Sequence, residues 1–288
     1  MGQTIACANQ KGGVGKTTTV VNLAAYLALA GDRVLVVDLD PQGNATSGFG
    51  IERARLETTL YDVILGETPV VDVIRPTGIA GCSIVPASVS LAGAEVEIAA
   101  VDQRERRLAK VLEDVSDDYE YVLLDCPPSL GLLTVNALTA ADSVLIPTQC
   151  EYYALEGLSQ LIATLNLVRD NLNPTLEIKG VVLTMYDART NLSADVAAEV
   201  RGHLGDAVFD TIVPRSVRLS EAPSFGLPIA LYRADSRGAL AYAELARELR
   251  RRDGRPIPAD PNGGNASSAA ANDDAEQVLQ AASAGARS

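Results

Sequence analysis

A single histidine, His203, is all the imidazole the chain contains, so neither a histidine triad nor a histidine-built metal centre has material to form from. Cysteine is thin as well. Cys7, Cys82, Cys126 and Cys150 lie far apart, and no two make a C-x-x-C pair. That pattern gives no disulfide framework and no zinc spacing; it reads as reduced, half-buried thiols in a cytosolic protein. No stretch reaches the roughly 18 uninterrupted apolar residues that a membrane span needs. The strand-like run Thr4-Ile5-Ala6-Cys7-Ala8 begins almost at once, so no secretory leader is expected. Ala6 also stands where an N-myristoylation motif needs Ser or Thr.

Positive charge is scarce overall. The formal net charge is −13, which by itself argues against a nucleic-acid partner. Its distribution tempers that. Residues 1–178 carry 23 acidic and 11 basic side chains, whereas residues 179–252 carry 9 acidic and 11 basic. The later part of the chain is therefore locally basic, which permits a nucleic-acid face. With 288 residues and 47% hydrophobic side chains, one large core is expected.

Short β-branched runs alternate with longer helical stretches. This is the mark of an α/β fold, a mostly parallel central sheet with helices on both faces. Strands are expected at residues 4–9, 33–38, 83–86, 121–125, 143–147, 179–185 and 211–213, dense enough in apolar side chains to be buried on both faces. Helices are expected at 16–30, 104–115, 132–140, 155–171, 194–204 and 238–252, with Gly31 as a left-handed cap after the first. From Asp253 the composition turns to Pro, Gly, Asn, Ser and Ala, too poor in large apolar groups to offset the entropy of ordering. The chain thus divides into a domain at 1–252 and a disordered tail at 253–288. A short helix at 273–282 would have only Val278 and Leu279 as its apolar face.

Gln10-Lys11-Gly12-Gly13-Val14-Gly15-Lys16-Thr17-Thr18 falls between the first strand and the first helix. Small residues there let successive main-chain N–H groups curl around phosphate oxygens, and the helix N-terminus adds its positive end. Lys16 can reach the β- and γ-phosphates, and the Thr17 hydroxyl can serve Mg²⁺. Gln10 replaces the first glycine of the usual G-x-x-x-x-G-K-[ST] loop, and Lys11 is an additional lysine at its start. K-G-G-x-G-K-[ST] resembles the deviant Walker A motif of the ParA/MinD ATPases. The resemblance implies a P-loop fold that binds ATP and Mg²⁺ through Gly12 to Thr18. It also implies that Lys11 acts in trans on a partner's nucleotide, so that ATP binding and homodimerisation are coupled.

Val34-Leu35-Val36-Val37-Asp38-Leu39-Asp40-Pro41-Gln42-Gly43-Asn44 brings two carboxylates to the end of a buried strand, where ligands bind in open α/β sheets. It resembles the family's switch I. That implies that Asp40 orients or activates the attacking water and that Asp38 supports the Mg²⁺ shell; the plainer reading is a strand-end pair capping a turn. Tyr121 to Asp125 looks like Walker B, with Asp125 holding a Mg²⁺-bound water, and Pro127-Pro128-Ser129 resembles switch II. Phosphoryl transfer needs positioning and charge neutralisation more than a histidine base, and Lys16, Lys11, Mg²⁺ and Asp40 can supply both. Slow turnover suited to a timer is expected.

The likeness spans about residues 2–250. In ParA relatives a strand-end Pro-Arg lies beside the adenine, which makes Pro214 and Arg215 base-side candidates; an ordinary strand end is the other reading. Asp187-Ala188-Arg189-Thr190-Asn191 and Arg215 through Pro223 resemble the Soj branch. The positions of Arg189 and Arg218 belong there to a sequence-nonspecific DNA surface, which arginine forks suit. Solvated arginines or local ion pairs are the plainer account. Arg247, Arg250, Arg251 and Arg252 extend that patch or complement a helix dipole. Glu151 to Gly157 and Leu91 to Glu95 also match, without a chemical role of their own. The implied function is a cytoplasmic, nucleoid-associated DNA-segregation ATPase. Its ATP-bound homodimer holds double-stranded DNA and is stimulated by a ParB-type centromere-binding protein. The alternatives are a membrane-cycling or polar-positioning ATPase of the MinD kind, a cluster-handling P-loop protein with bridging cysteines, and a nonhydrolysing scaffold. The acidic tail, with few large apolar groups, speaks against membrane attachment.

Overall fold

The computed structural model describes residues 2–256. Eight strands form one sheet: β1 (Gln3–Cys7), β2 (Val34–Asp38), β3 (Arg75–Pro76), β4 (Cys82–Val85), β5 (Tyr121–Asp125), β6 (Ser143–Gln149), β7 (Glu177–Tyr186) and β8 (Val208–Pro214). Their order is β3-β4-β2-β5-β1-β6-β7-β8, and every pairing is parallel except the antiparallel β3–β4. The expected fold class is thus observed. β1 lies between β5 and β6, and Cys7 stands beside Asp125 while Asp125 stands beside Asp38 across the ladder. The sheet's register therefore brings the ends of β1, β2 and β5 together.

Among the described residues twelve α-helices accompany the strands: α1 (Lys16–Leu29), α2 (Asn44–Gly48), α3 (Leu60–Leu65), α4 (Val70–Val73), α5 (Leu91–Glu97), α6 (Arg107–Leu112), α7 (Leu132–Ala140), α8 (Ala154–Asn171), α9 (Asn191–Leu204), α10 (Val217–Glu221), α11 (Ile229–Tyr232) and α12 (Arg237–Arg252). Side chains of a strand alternate between faces, and here that alternation separates two cores. Leu35, Val37, Val122 and Leu124 point to a core closed by α3 to α9. Val34, Val36, Tyr121 and Leu123 point to the opposite core, closed by α1, α2 and α10 to α12. All five residues of β2 and of β5 are buried, as runs this apolar require.

The differences from expectation have local causes. The helix expected at 104–115 begins as a 3-10 turn at Arg104–Arg106 before α6. Asn136 of α7 intervenes there, donating to the Arg104 carbonyl and accepting from the Leu108 N–H. The strand expected at 211–213 runs from Val208, and the helix expected at 194–204 starts at Asn191, capped by the Thr190 hydroxyl. Gly31 follows α1 at φ 94°, the left-handed cap expected there.

Residues 253–256 pack against the bottom of the sheet. The Asp253 carboxylate accepts from the Tyr121 hydroxyl at 2.8 Å and pairs with Lys179, while the Arg255 guanidinium lies 4.8 Å from the Tyr121 ring centre. The remainder of the expected tail, with the helix at 273–282, falls outside the described residues. Arg250 forms a buried pair with Asp32, Arg252 pairs with Glu248 over the Phe209 ring, and Arg247 and Arg251 reach Glu244 at 3.4 and 3.6 Å. These four arginines are engaged within α12 and its supports.

Two edges flank the sheet. β3 has two residues, the second a proline without an N–H. In β8 the N–H groups of Asp210 and Thr211 both donate to the buried Glu248 carboxylate, each at 2.9 Å.

Candidate functional site

The loop from Ala8 to Gly15 leaves β1 at the carboxyl end of the sheet, at its centre. Gly13 and Gly15 sit at φ 74° and 91°, a left-handed region that side chains with a Cβ rarely enter. Gly15 caps α1, so the loop opens directly onto the helix N-terminus. Several bonds hold the loop from below. The Thr184 hydroxyl donates to the Val14 carbonyl at 2.8 Å, Asn9 donates to Pro147 O at 2.8 Å, and Lys11 N–H donates to Asn9 Oδ1 at 3.0 Å. Lys16 is buried, its ammonium turned back to the Lys11 carbonyl at 3.3 Å. The Lys11 side chain lies half-exposed and pairs with Glu151 of its own chain at 2.6 Å.

Two strand-end acids behave differently. Asp38 is spent within its own loop: Oδ2 accepts from Thr46 N–H at 2.8 Å and from the Thr46 hydroxyl at 2.7 Å, and Oδ1 accepts from Asp40 N–H at 3.2 Å. Thr46 in turn accepts from Ala87 N–H at 3.0 Å. Burial pushes the Asp38 carboxyl up to about 6, against the pull of the Thr46 bonds. Asp125 is also fully buried, yet neither of its oxygens has a hydrogen-bond partner among the described residues. Its pKa is raised, first by burial and then by the Asp38 carboxylate; the Thr17 hydroxyl and the Lys16 ammonium lie close enough to ease it. Neither reaches it with hydrogen-bond geometry. Buried unsatisfied carboxylate oxygens cost about 1–3 kcal/mol each, so such an acid calls for a partner that the chain does not supply. Asp40, 8% exposed, accepts from Gln42 N–H at 2.9 Å.

The structure thus assembles Lys16, Thr17, Asp38, Asp40 and Asp125 around the end of β1. A cavity of about 410 Å³ opens beside them, lined by Thr17, Thr18, Asn22, Asn44, Pro223 and Leu227 among others. Pro214 and Arg215 do not line it. Pro214 ends β8 opposite Tyr186, and the exposed Arg215 side chain turns into a second opening.

Near that cavity two main chains touch. A Cβ on Gly226 would fall 2.7 Å from Gly50 Cα, so the segment after α2 and the turn after α10 meet without side chains between them. Both candidate DNA arginines are exposed and locally paired. Arg189 makes a two-point contact with Asp187 at 2.8 and 2.7 Å, and Arg218 pairs with Glu221 at 2.7 Å.

All four cysteines are buried and free, and burial pushes the Cys82 and Cys150 thiols up to about 12 and 11. Among the described residues no cluster of metal-ligating side chains occurs, and no helix is long and apolar enough to cross a membrane.

A family model described as an AAA domain matches residues 2–178. The chain is 58% identical over 249 residues to the sporulation initiation inhibitor protein Soj of Bacillus subtilis, covering 86% of this chain and 98% of that one. It is 56% identical over 247 residues to the chromosome partitioning protein ParA of Caulobacter vibrioides, covering 85% and 92%. Among solved structures, cobyrinic acid a,c-diamide synthase from Mycobacterium smegmatis with bound ATP analog and magnesium matches at a TM-score of 0.77 and 38% identity. That match covers 90% of this chain and 100% of the other.

Proposed function

The chain belongs to the ParA/Soj family of chromosome-partitioning ATPases, and on that premise we propose that it is an ATP- and Mg²⁺-dependent switch that pairs on ATP and then holds DNA. The observation that carries the nucleotide reading is Asp125, a buried carboxylate with two unpartnered oxygens beside a glycine loop and a buried lysine.

The residues present fit the ligand. Main-chain N–H groups of Gly12 to Thr18 cradle the phosphates, Lys16 neutralises the β- and γ-oxygens, and the Thr17 hydroxyl with Asp125, through water, holds Mg²⁺. Bound there, Mg²⁺ supplies charge neutralisation on the phosphate oxygens. Asp38 fixes α2 through Thr46 and so sets where Asp40 sits. Asp40 orients the attacking water. The cavity beside Thr17 and Thr18 takes the nucleoside half; Pro214 and Arg215, expected beside the base, lie outside its lining.

Lys11 leaves Glu151 and completes the pocket of a second copy, so dimerisation reports ATP. The dimer binds duplex DNA without sequence preference through Arg189 and Arg218, and a ParB-type partner triggers slow hydrolysis and release. The protein is cytoplasmic and nucleoid-associated while ATP is bound.

Size-exclusion chromatography of the full chain tests this in four arms, with and without ATP and Mg²⁺, each with and without a nonspecific duplex. A dimer is expected only with ATP, and co-elution with DNA only for that dimer. A monomer in every arm, or DNA co-elution indifferent to ATP, overturns the reading.

A further inference from the structure

Helix α7 starts without a cap of its own. Gly131 at its N-cap position has no side chain, and its first turn carries no acid. The first amides of a helix have no partner inside it, so an acceptor must come from elsewhere. Here it comes from α5, 38 positions away: Oε1 of the half-buried Glu95 accepts from Leu133 N–H at 3.1 Å. A carboxylate suits that place, because it faces the positive end of the helix. A Cβ on Gly131 would collide with the same carboxylate, so the glycine leaves room for it.

Residues 126–131 join Asp125 to α7, and Pro128, Ser129 and Leu130 among them are exposed. The rings of Pro127 and Pro128 fix φ, so a shift at Gly131 passes back along the segment with little to absorb it. The segment also meets the glycine loop, where a Cβ on Gly12 would lie 4.0 Å from Pro128 Cβ. The Thr134 hydroxyl, donating to Ser129 O at 2.6 Å, ties it to α7 a second time. α5 is a firm base for the cap. Leu91 and Ala94 on it, and Ile98 just past its end, are fully buried. Ahead of it, Ala87 N–H donates to the Thr46 hydroxyl that holds Asp38. Glu95 thus completes a run of contacts from the loop carrying Asp40 to the segment that follows Asp125.

Resting on the nucleotide reading above, we propose that Glu95 is a positioning residue for ATP hydrolysis: by capping α7 it keeps residues 126–131 seated against the glycine loop. It acts through Pro128 and not by a contact of its own with the nucleotide. Affinity rests on the loop amides and Lys16, which Glu95 does not touch, so its loss reads out in turnover.

The test measures phosphate release by the full chain with Mg²⁺ over a range of ATP concentrations. E95A should lower kcat at least about fivefold and leave KM within about twofold. E95Q, whose amide oxygen still accepts from Leu133 N–H, should recover most of the rate. G131A reaches the same contact from the other side, its methyl displacing the carboxylate, and its kcat should fall as that of E95A does. In E95A/G131A the methyl meets no carboxylate, so the double variant should be no slower than E95A alone. Additive losses overturn the inference, as do wild-type kcat in E95A, an E95Q as slow as E95A, or a KM that rises as steeply as kcat falls. Where thermal unfolding shows that E95A does not fold, G131A decides: wild-type kcat in it overturns the inference, and a fall of at least about fivefold upholds it. Absence of ATP turnover in the wild-type chain, read before any variant, removes the broader proposal instead.

Discussion

Replacing Asp125 with Asn should make the nucleotide-free protein more stable while removing its response to Mg²⁺ and ATP. Two buried carboxyls, Asp38 and Asp125, stand opposite each other on neighbouring strands. Burial pushes the Asp38 carboxyl up to about 6, so its ionisation works against the folded state at neutral pH. The Asp125 pKa is also raised, by burial and then by Asp38, and its oxygens have no partner. For an acid with a raised folded pKa, the folded state keeps its proton longer than the unfolded chain. Stability therefore falls as pH climbs from the ordinary carboxylate range through the folded pKa, and stays low above it. Asparagine keeps the shape and removes the charge, so the variant should gain about 1–3 kcal/mol at pH 8. In a chain of this size that is a rise of roughly 3–8 °C in midpoint. Thermal unfolding followed by circular dichroism reads it directly. The advantage should shrink at pH 5, where Asp38 is largely protonated in the wild type. With Mg²⁺ and ATP at a hundredfold their dissociation constant, the wild type should gain about 2.7 kcal/mol and the variant much less, inverting the order. A variant no more stable than wild type at pH 8 without nucleotide would refute the reasoning. An advantage indifferent to pH would refute it too.

Lys11→Ala should abolish the ATP-dependent dimer yet shift monomer stability by less than about 1 kcal/mol, because a half-exposed ion pair contributes no more; chromatography and urea titration check the two halves. Glu248→Ala should cost about 2–4 kcal/mol in urea unfolding, since it strips the Asp210 and Thr211 amides and the Arg252 guanidinium of a buried acceptor. Gly226→Ala should lower stability by roughly 2–4 kcal/mol, combining a left-handed φ of 66° with a Cβ pressed on Gly50. Thermal unfolding of that variant beside Gly254→Ala, whose φ is 64° with nothing within 4 Å, separates crowding from backbone strain.

Much of the site can be read in the chain because it is local. Loop glycines, Lys16 and Thr17 are contiguous, and the apolar runs ending in Asp38 and Asp125 announce strands whose ends must meet in a parallel sheet. What cannot be read depends on distant packing. Lys11 and Glu151 are 140 positions apart, and nothing in either segment signals their pairing. Asp38 looks like a free ligand until Thr46, eight residues on, folds back to occupy it. Asp253 sits in a stretch whose composition suggests a tail, and the contacts with Lys179 and Tyr121, distant in sequence, tie its side chain down. The short helices α2 to α5 span too few turns to leave a period.

The two flanks of the sheet bear on how such a protein survives being crowded. An open ladder edge is where strange strands zip together. One flank here ends in a two-residue strand closed by Pro76; the other has Glu248 standing in for the neighbour that β8 lacks. Two amides on the β8 flank are thereby already taken, and the β3 flank is too short and too proline-bound to template a further strand.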